Sequence, residues 1–280
     1  MSALNIGVRA HDFGQGSIEE VCNRIGKYDV SCVQLALPKS FPFMGPDAGR
    51  ITPGFASKVK NAFAAHNIDI AVLGCYINPV HPDKRIREVS LQWFEEHLQF
   101  ASDFGCKIVG TETGSINADC LWHPDNHSEK AFNELVTSVR RLALTAEKFG
   151  VIIGIEGVAH HHIINTPERL CQLLEAVDSS NVKVIYDPVN FFPVNMPVSQ
   201  EAAMDEMFAR LGQQIVAVHC KDFITKDHKK FGDLPSGTGE MNHRYLFAWL
   251  ARFKPDIQII LENTSAGNID KVLSFLDNQL

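Results

Sequence analysis

The sequence predicts a (β/α)8 TIM barrel, an α/β fold built as a single domain over residues 1–280. Three observations carry this expectation. Eight short apolar runs alternate with segments of helical periodicity from one end of the chain to the other. The runs are rich in β-branched residues and apolar on both faces, as parallel strands covered by helices are. No Pro/Gly/Ser-rich linker or low-complexity segment divides the 280 residues, a length near the roughly 250 typical of such barrels.

The elements follow in order. "LNIGVRA" (4–10) is the first expected strand, and "SIEEVCNRIGKY" after it opens with a serine cap and first-turn glutamates, a helix start. "CVQLAL" (32–37), "DIAVLGCYI" (69–77) and "KIVGTET" (107–113) are the next three strands. The aromatics of "LQWFEEHLQFASDFG" suit a core face better than a dimer patch, although a homo-oligomer stays open. "HSEKAFNELVTSVRRLALTAEKFG" is a long amphipathic helix that stops at Gly150. "VIIGIEG" (151–157) is the fifth strand. "TPERLCQLLEAV" then begins with a threonine cap and Pro167, whose missing N–H does no harm in a first helical turn. "VKVIYDPV" (182–189), "IVAVHCKDF" (215–223) and "IQIILENT" (257–264) complete the eight. An open doubly wound sheet is disfavoured because no GxGxxG turn follows the first strand; "GTETGS" and "PSGTGE" lack that spacing.

Composition narrows the function. With 45% hydrophobic and 21% charged residues the chain is an ordinary globular protein. A net charge of −7 argues against a nucleic-acid partner, which needs a basic footprint. The start shows no secretory pattern and no run reaches the roughly 18 apolar residues of a membrane helix, so no membrane partner is expected. The seven cysteines form no CxxC pair and read as reduced core thiols of a cytoplasmic protein.

Chemistry enters where apolar runs end in polar residues. Burying an ionised carboxylate is costly unless something pairs with it or coordinates it, yet the last four strands deliver Glu156, Asp187, His219 and Glu262. Singly, each reads as an ion-pair partner or a hydrogen-bonded core histidine. Together, one βα unit apart on consecutive strands, they would surround one point at the barrel's C-terminal rim, where active sites of this fold lie. Three carboxylates and one imidazole suit one divalent ion, Mn²⁺ first, with Mg²⁺, Co²⁺ or Zn²⁺ as other candidates.

Glu156, "YDP", "HCKD" and "LEN" at those strand ends resemble the xylose isomerase-like barrel superfamily, over essentially the whole chain. That superfamily holds sugar isomerases, ketose 3-epimerases, hydroxypyruvate isomerase, inosose dehydratase and apurinic endonucleases. The resemblance to its epimerase branch implies that the four residues bind one Mn²⁺-type ion and that Glu156 and Glu262 act as acid and base. Departures limit the transfer of substrate contacts: "DPVN" puts Asn190 where relatives often carry a His, and Thr225 stands where the epimerases place an Arg. Strand three ends "GCYIN" without the His that a three-metal endonuclease site needs.

The expected reaction is isomerisation or epimerisation of a sugar or polyol by proton abstraction next to a carbonyl, through a metal-stabilised enediolate. An inosose-type dehydratase is the alternative, and a non-catalytic sugar-binding barrel a more distant one. Lys221, Glu112, Asn190 and His11 are the expected substrate contacts, with Asp12, Trp122 and the histidines at 160–162 as weaker candidates. Glu112 would equally suit an ion pair with Arg9, and Asp222 a role as partner of Lys221 or as a helix cap. The acidic site favours a neutral polyol over a bisphosphate unless Arg9 or the amides of "PSGTGE" form an anion pocket.

Overall fold

The computed structural model describes residues 4–158, 161–193, 199–227 and 229–279. The eight expected strands are all present, most of them ending earlier than the apolar runs suggest. They are β1 (Asn5–Arg9), β2 (Cys32–Leu35), β3 (Asp69–Gly74), β4 (Ile108–Glu112), β5 (Ile152–Glu156), β6 (Val182–Tyr186), β7 (Ile215–Cys220) and, after a hairpin of β8 (Asp222–Lys226) and β9 (Lys229–Leu234), β10 (Gln258–Leu261). The eight parallel strands close in the order β1–β10–β7–β6–β5–β4–β3–β2. Val8 faces Leu261 on one side and Val33 on the other, which seals the barrel between its first and last strands.

The helices lie outside, and their caps follow the local sequence. Ser17 and Glu20 form a reciprocal capping box at the start of α1 (Ile18–Ile25). After α2 (Leu37–Ser40), Thr52 caps α3 (Pro53–Ala64), and Asp83 caps α4 (Lys84–Phe100). Ser128 opens α5 (Glu129–Phe149), and Gly150 closes it at φ 65°, a left-handed position where a side chain would be strained. Thr166 caps α6 (Pro167–Val177). The short α7 (Pro188–Phe191) and α8 (Gln200–Leu211) follow β6, α9 (His243–Phe253) follows the hairpin, and α10 (Ile269–Asp277) follows β10. Trp93, Phe94 and Phe104 are buried, so that aromatic segment is core, as expected. All seven cysteines are unpaired, five of them buried. No helix among the described residues is long and apolar enough to cross a membrane.

Two apolar clusters result. The larger fills the space between strands and helices. The smaller, Cys32, Ala71, Val72, Ile108, Ile185, Ala217 and Ile260, fills the barrel itself. Gly110 and Gly154 pair in register, and a Cβ at either would come within 2.8 or 2.7 Å of the Ile185 side chain. Their missing side chains make room for Ile185 to plug the middle of the barrel. Because side chains alternate along a strand, the residues two positions beyond this plug point inward at the C-terminal rim. Gly110 thus leads to Glu112, Gly154 to Glu156, Ile185 to Asp187, Ala217 to His219 and Ile260 to Glu262.

The hairpin departs from expectation, because "IVAVHCKDF" reads as one strand to 223. The barrel strand stops at Cys220, and Asp222–Lys226 pairs instead, antiparallel, with Lys229–Leu234. Asp222 provides the physical reason. Its carboxylate accepts the backbone N–H groups of Phe223, Gly237 and Met241, which turns the chain away from the barrel wall.

Candidate active site

Four inward residues meet at the rim. His219, fully buried, places Nδ1 3.1 Å from Glu156 Oε2 and 3.4 Å from Glu262 Oε1. Glu156, Asp187 and His219 each offer one ligand atom within 4.8 Å of the others, the group of this kind found among the described residues. Glu262 adjoins this group but is held by cations: Arg9 Nη1 donates to Oε1 at 3.1 Å and Lys221 Nζ to Oε2 at 3.0 Å. Asp187 caps the short α7, its Oδ1 accepting from the Asn190 backbone N–H. The Asn190 side-chain amide donates to Glu156 Oε1 at 2.6 Å.

The buried ammonium of Lys221 ties this together. It lies 3.0 Å from Asp187 Oδ2, 3.0 Å from Glu262 Oε2 and 3.1 Å from Asp233 Oδ1 at the end of β9. The charges shape one another. Burial pushes the Asp187 carboxyl up to about 6, against the pull of Lys221. Burial opposes the charge on His219, but Glu156 and Glu262 outweigh it and raise the imidazole to about 9. Burial likewise opposes the charge on Glu262, and Lys221, His219 and Arg9 overcome it, holding that carboxyl below its usual range.

The residues fit a divalent cation. Asp187 Oδ2 and His219 Nδ1 are both buried without a hydrogen bond, though each faces an opposite charge. With the neighbouring oxygens of Glu156 and Glu262, these two atoms make the hard, mostly oxygen ligand set that Mn²⁺ or Mg²⁺ takes.

Above the cluster opens a cavity of 300 Å³ lined by His11, Lys39, Tyr76, Glu112, His161 and His162 among others, with Glu156, Asn190, Lys221 and Glu262 at its base. All four expected substrate contacts therefore reach it. Burial lowers the His11 and His162 imidazoles to about 4, so both are neutral near pH 7. Burial raises the Glu112 carboxyl, helped by the nearby charge of Glu262. A larger hollow of 680 Å³ lies at the opposite barrel end, lined by Asp69, Lys107 and Lys254, where no ligand cluster converges among the described residues.

Three sequence expectations are corrected. Arg9 pairs with Asp12 and Glu262 and donates to Asn263, not to Glu112, because closure of β1 on β10 brings it beside the last strand. Asp222 is neither partner of Lys221 nor a helix cap; it gathers the loop amides. The "PSGTGE" loop forms no anion pocket through Gly237, whose N–H is spent on Asp222. Trp122 is exposed beside Leu121, a cavity-lining residue, and His160 lies outside the described residues.

The sequence reading missed Gln34, Tyr76 and Asp233. Gln34 carries a signal: it is polar inside the apolar run "CVQLAL", where a buried amide needs hydrogen-bond partners.

A family model described as xylose isomerase-like TIM barrel matches residues 20–279. The chain belongs to that family. Among members and neighbours of the xylose isomerase-like barrels, it is 24% identical over 187 residues to a Mycoplasma pneumoniae protein named "Probable L-ribulose-5-phosphate 3-epimerase UlaE", covering 66% of this chain and 56% of that one. It is 28% identical over 155 residues to the inosose dehydratase of Geobacillus thermodenitrificans, covering 52% of this chain and 49% of that one. The match thus spans about half the length of these two relatives. A crystal structure described as a D-tagatose 3-epimerase-like protein shares the fold, with TM-score 0.77 and 16% identity over 99% of this chain and 97% of that one.

Proposed function

We propose that this chain is a divalent-metal-dependent isomerase or epimerase acting on an uncharged sugar or polyol. The observation that carries the reading is the convergence of Glu156 and Glu262 on either side of His219 Nδ1, with Asp187 beside them, at the base of the rim cavity. Glu156, Asp187, His219 and Glu262 would hold the ion, Mn²⁺ first. Bound there, the ion would supply a Lewis acid for a substrate carbonyl.

The chain's own groups do the rest. Glu262, kept ionised by Lys221, His219 and Arg9, accepts the proton from the carbon beside the carbonyl. Bound substrate excludes water from the cavity, and that desolvation raises the basicity of Glu262. Glu156 flanks the other side of His219 and exchanges a proton on the opposite face, its Oε1 steadied by Asn190. Glu112, Tyr76 and the neutral His11 and His162 offer hydrogen-bonding groups along the wall for hydroxyls.

The charge preference follows from what the cations already do. Arg9 and Lys221 are engaged by carboxylates, and Lys39 sits 4.9 Å over the Tyr76 ring. A phosphate dianion at the cavity base would meet Glu112, Glu156 and Glu262, while among the described residues the base cations Arg9 and Lys221 already face carboxylates. Tight binding of phosphorylated sugars, with free sugars inert, would overturn this preference.

The inosose dehydratase match and the raised Glu112 carboxyl, suited to protonating a leaving hydroxyl, favour a lyase as the second reading. Free ketoses, aldoses and inososes are to be incubated with Mn²⁺-loaded protein in D₂O and followed by mass spectrometry. Solvent deuterium beside the carbonyl without mass loss supports isomerisation or epimerisation, and loss of water supports the lyase. Glu156→Gln and Glu262→Gln should each slow exchange by about 10²–10⁴-fold. No exchange with any of these compounds, at any metal loading, would refute the reading.

A further inference from the structure

Gln34 lies on β2, across the barrel from His219, and is completely buried. His219 Nε2 donates to its Oε1 at 2.7 Å. On the other side the Gln34 amide N–H donates to the Tyr76 hydroxyl at 2.5 Å. The two bonds complement each other. With the amide N–H toward Tyr76, the amide oxygen faces the imidazole, and an oxygen there demands a proton on Nε2. Nδ1 is then the nitrogen that can present a lone pair to a cation held beside Glu156 and Glu262, whose oxygens lie 3.1 and 3.4 Å away. A flipped amide would offer N–H to Nε2 and move the imidazole proton to Nδ1, blocking the atom that faces the carboxylates.

We infer that Gln34, held by Tyr76, is the positioning residue that sets the His219 tautomer and aims Nδ1 at the cation. The inference rests on the metal-site reading above. Ligating histidines generally hold their other ring nitrogen in this way, and loss of such a partner weakens metal binding about 10–100-fold. Here the partner is a neutral amide reaching across the barrel from a strand that supplies none of the four ligands. The metal site therefore depends on β2 as well as on β5, β6, β7 and β10.

The choice of substitution separates positioning from packing. Gln34→Met keeps the volume and removes the acceptor. Gln34→Glu keeps the acceptor, has no N–H to misdirect, and can accept the Tyr76 O–H in place of donating to it. Tyr76→Phe leaves the amide without its second anchor and serves if the Met variant does not fold. Mn²⁺ affinity of the wild type and the three variants is measured by calorimetry, with Tm followed by circular dichroism in EDTA.

Gln34→Met should weaken Mn²⁺ binding about 10–100-fold, Tyr76→Phe should weaken it less, and Gln34→Glu should bind at least as tightly as the wild type. If the wild type binds and Gln34→Met or Tyr76→Phe binds equally well, Gln34 does not set His219. A Gln34→Glu variant as weak as Gln34→Met would likewise refute the acceptor role. If the wild type takes up none of Mn²⁺, Mg²⁺, Co²⁺ and Zn²⁺, the metal reading itself falls, and with it the duty assigned to Gln34.

Discussion

Replacing Lys221 by Met removes one ammonium from contact with three carboxylates and leaves most of the stem's volume in place. In the metal-free protein Asp187 Oδ2 and Glu262 Oε2 each lose a cation at 3.0 Å, and both residues are at least nine-tenths buried. Asp233 is largely exposed, so water replaces its contact and it adds little. Breaking a buried ion pair from one side costs about 3–5 kcal/mol because the other charge stays in place. In a chain of this size that lowers Tm by roughly 5–9 °C.

A divalent ion reverses the sign of the problem, since the freed carboxylates then face a cation again. An ion at a hundred times its Kd returns about 2.7 kcal/mol, and the variant, one positive charge poorer at the site, should bind it more tightly than the wild type. The assay is thermal unfolding by circular dichroism in EDTA and in saturating Mn²⁺. The expected result is a large loss in EDTA and recovery of at least half of it with Mn²⁺. A variant that melts with the wild type in EDTA would refute the charge balance described for the cluster. A loss that Mn²⁺ leaves unchanged would refute a cation site beside Asp187 and Glu262.

Three further outcomes follow from other parts of the molecule. His97 is fully buried and burial lowers its imidazole from 6.5 to about 4, so its contribution is complete above pH 6.5 and is lost as pH falls toward 4. That loss is about 3 kcal/mol, and urea unfolding at pH 7.5 and 4.5 should show His97→Phe losing less stability than the wild type; equal losses would clear His97. Asp222→Ala strips three backbone N–H groups of their acceptor. The Gly237 and Met241 amides should then exchange with deuterium at least tenfold faster, while unchanged protection would mean that other contacts hold the loop. Gly154→Ala drives a methyl group to 2.7 Å from Ile185, and such overpacking should cost about 1–3 kcal/mol; an undiminished denaturation midpoint would show that Ile185 has room to move.

The barrel was legible because parallel strands buried on both faces leave long apolar runs, and because Ser17, Thr166, Pro167 and Gly150 mark helix ends by local chemistry alone. The four rim residues were legible for the same local reason: a carboxylate or imidazole ends each of four apolar runs. What failed depended on partners distant in sequence. Arg9 meets Glu262 only after β1 closes on β10. Asp222 looked like a continuation of β7, since nothing in "HCKDF" reveals that amides of a loop fifteen residues later converge on its carboxylate. Gln34 is a weaker signal, because a single amide in an apolar run raises less alarm than a charge, although its hydrogen bonds need satisfying just as completely.

The Ile185 plug has a consequence for water. The seven side chains of the inner cluster separate the charged cavity from the 680 Å³ hollow at the other barrel end. Their thickness depends on two facing glycines that let one isoleucine fill the gap. Shortening Ile185 would leave unfilled space beside those glycines, and solvent could then rise toward the carboxylates from below. The barrel would turn from a stoppered cup into a conduit, with Glu156 and Asp187 hydrated from beneath and their attraction for cations diluted. Hydrocarbon with no polar atom of its own thus governs how strongly the charges at the rim are felt.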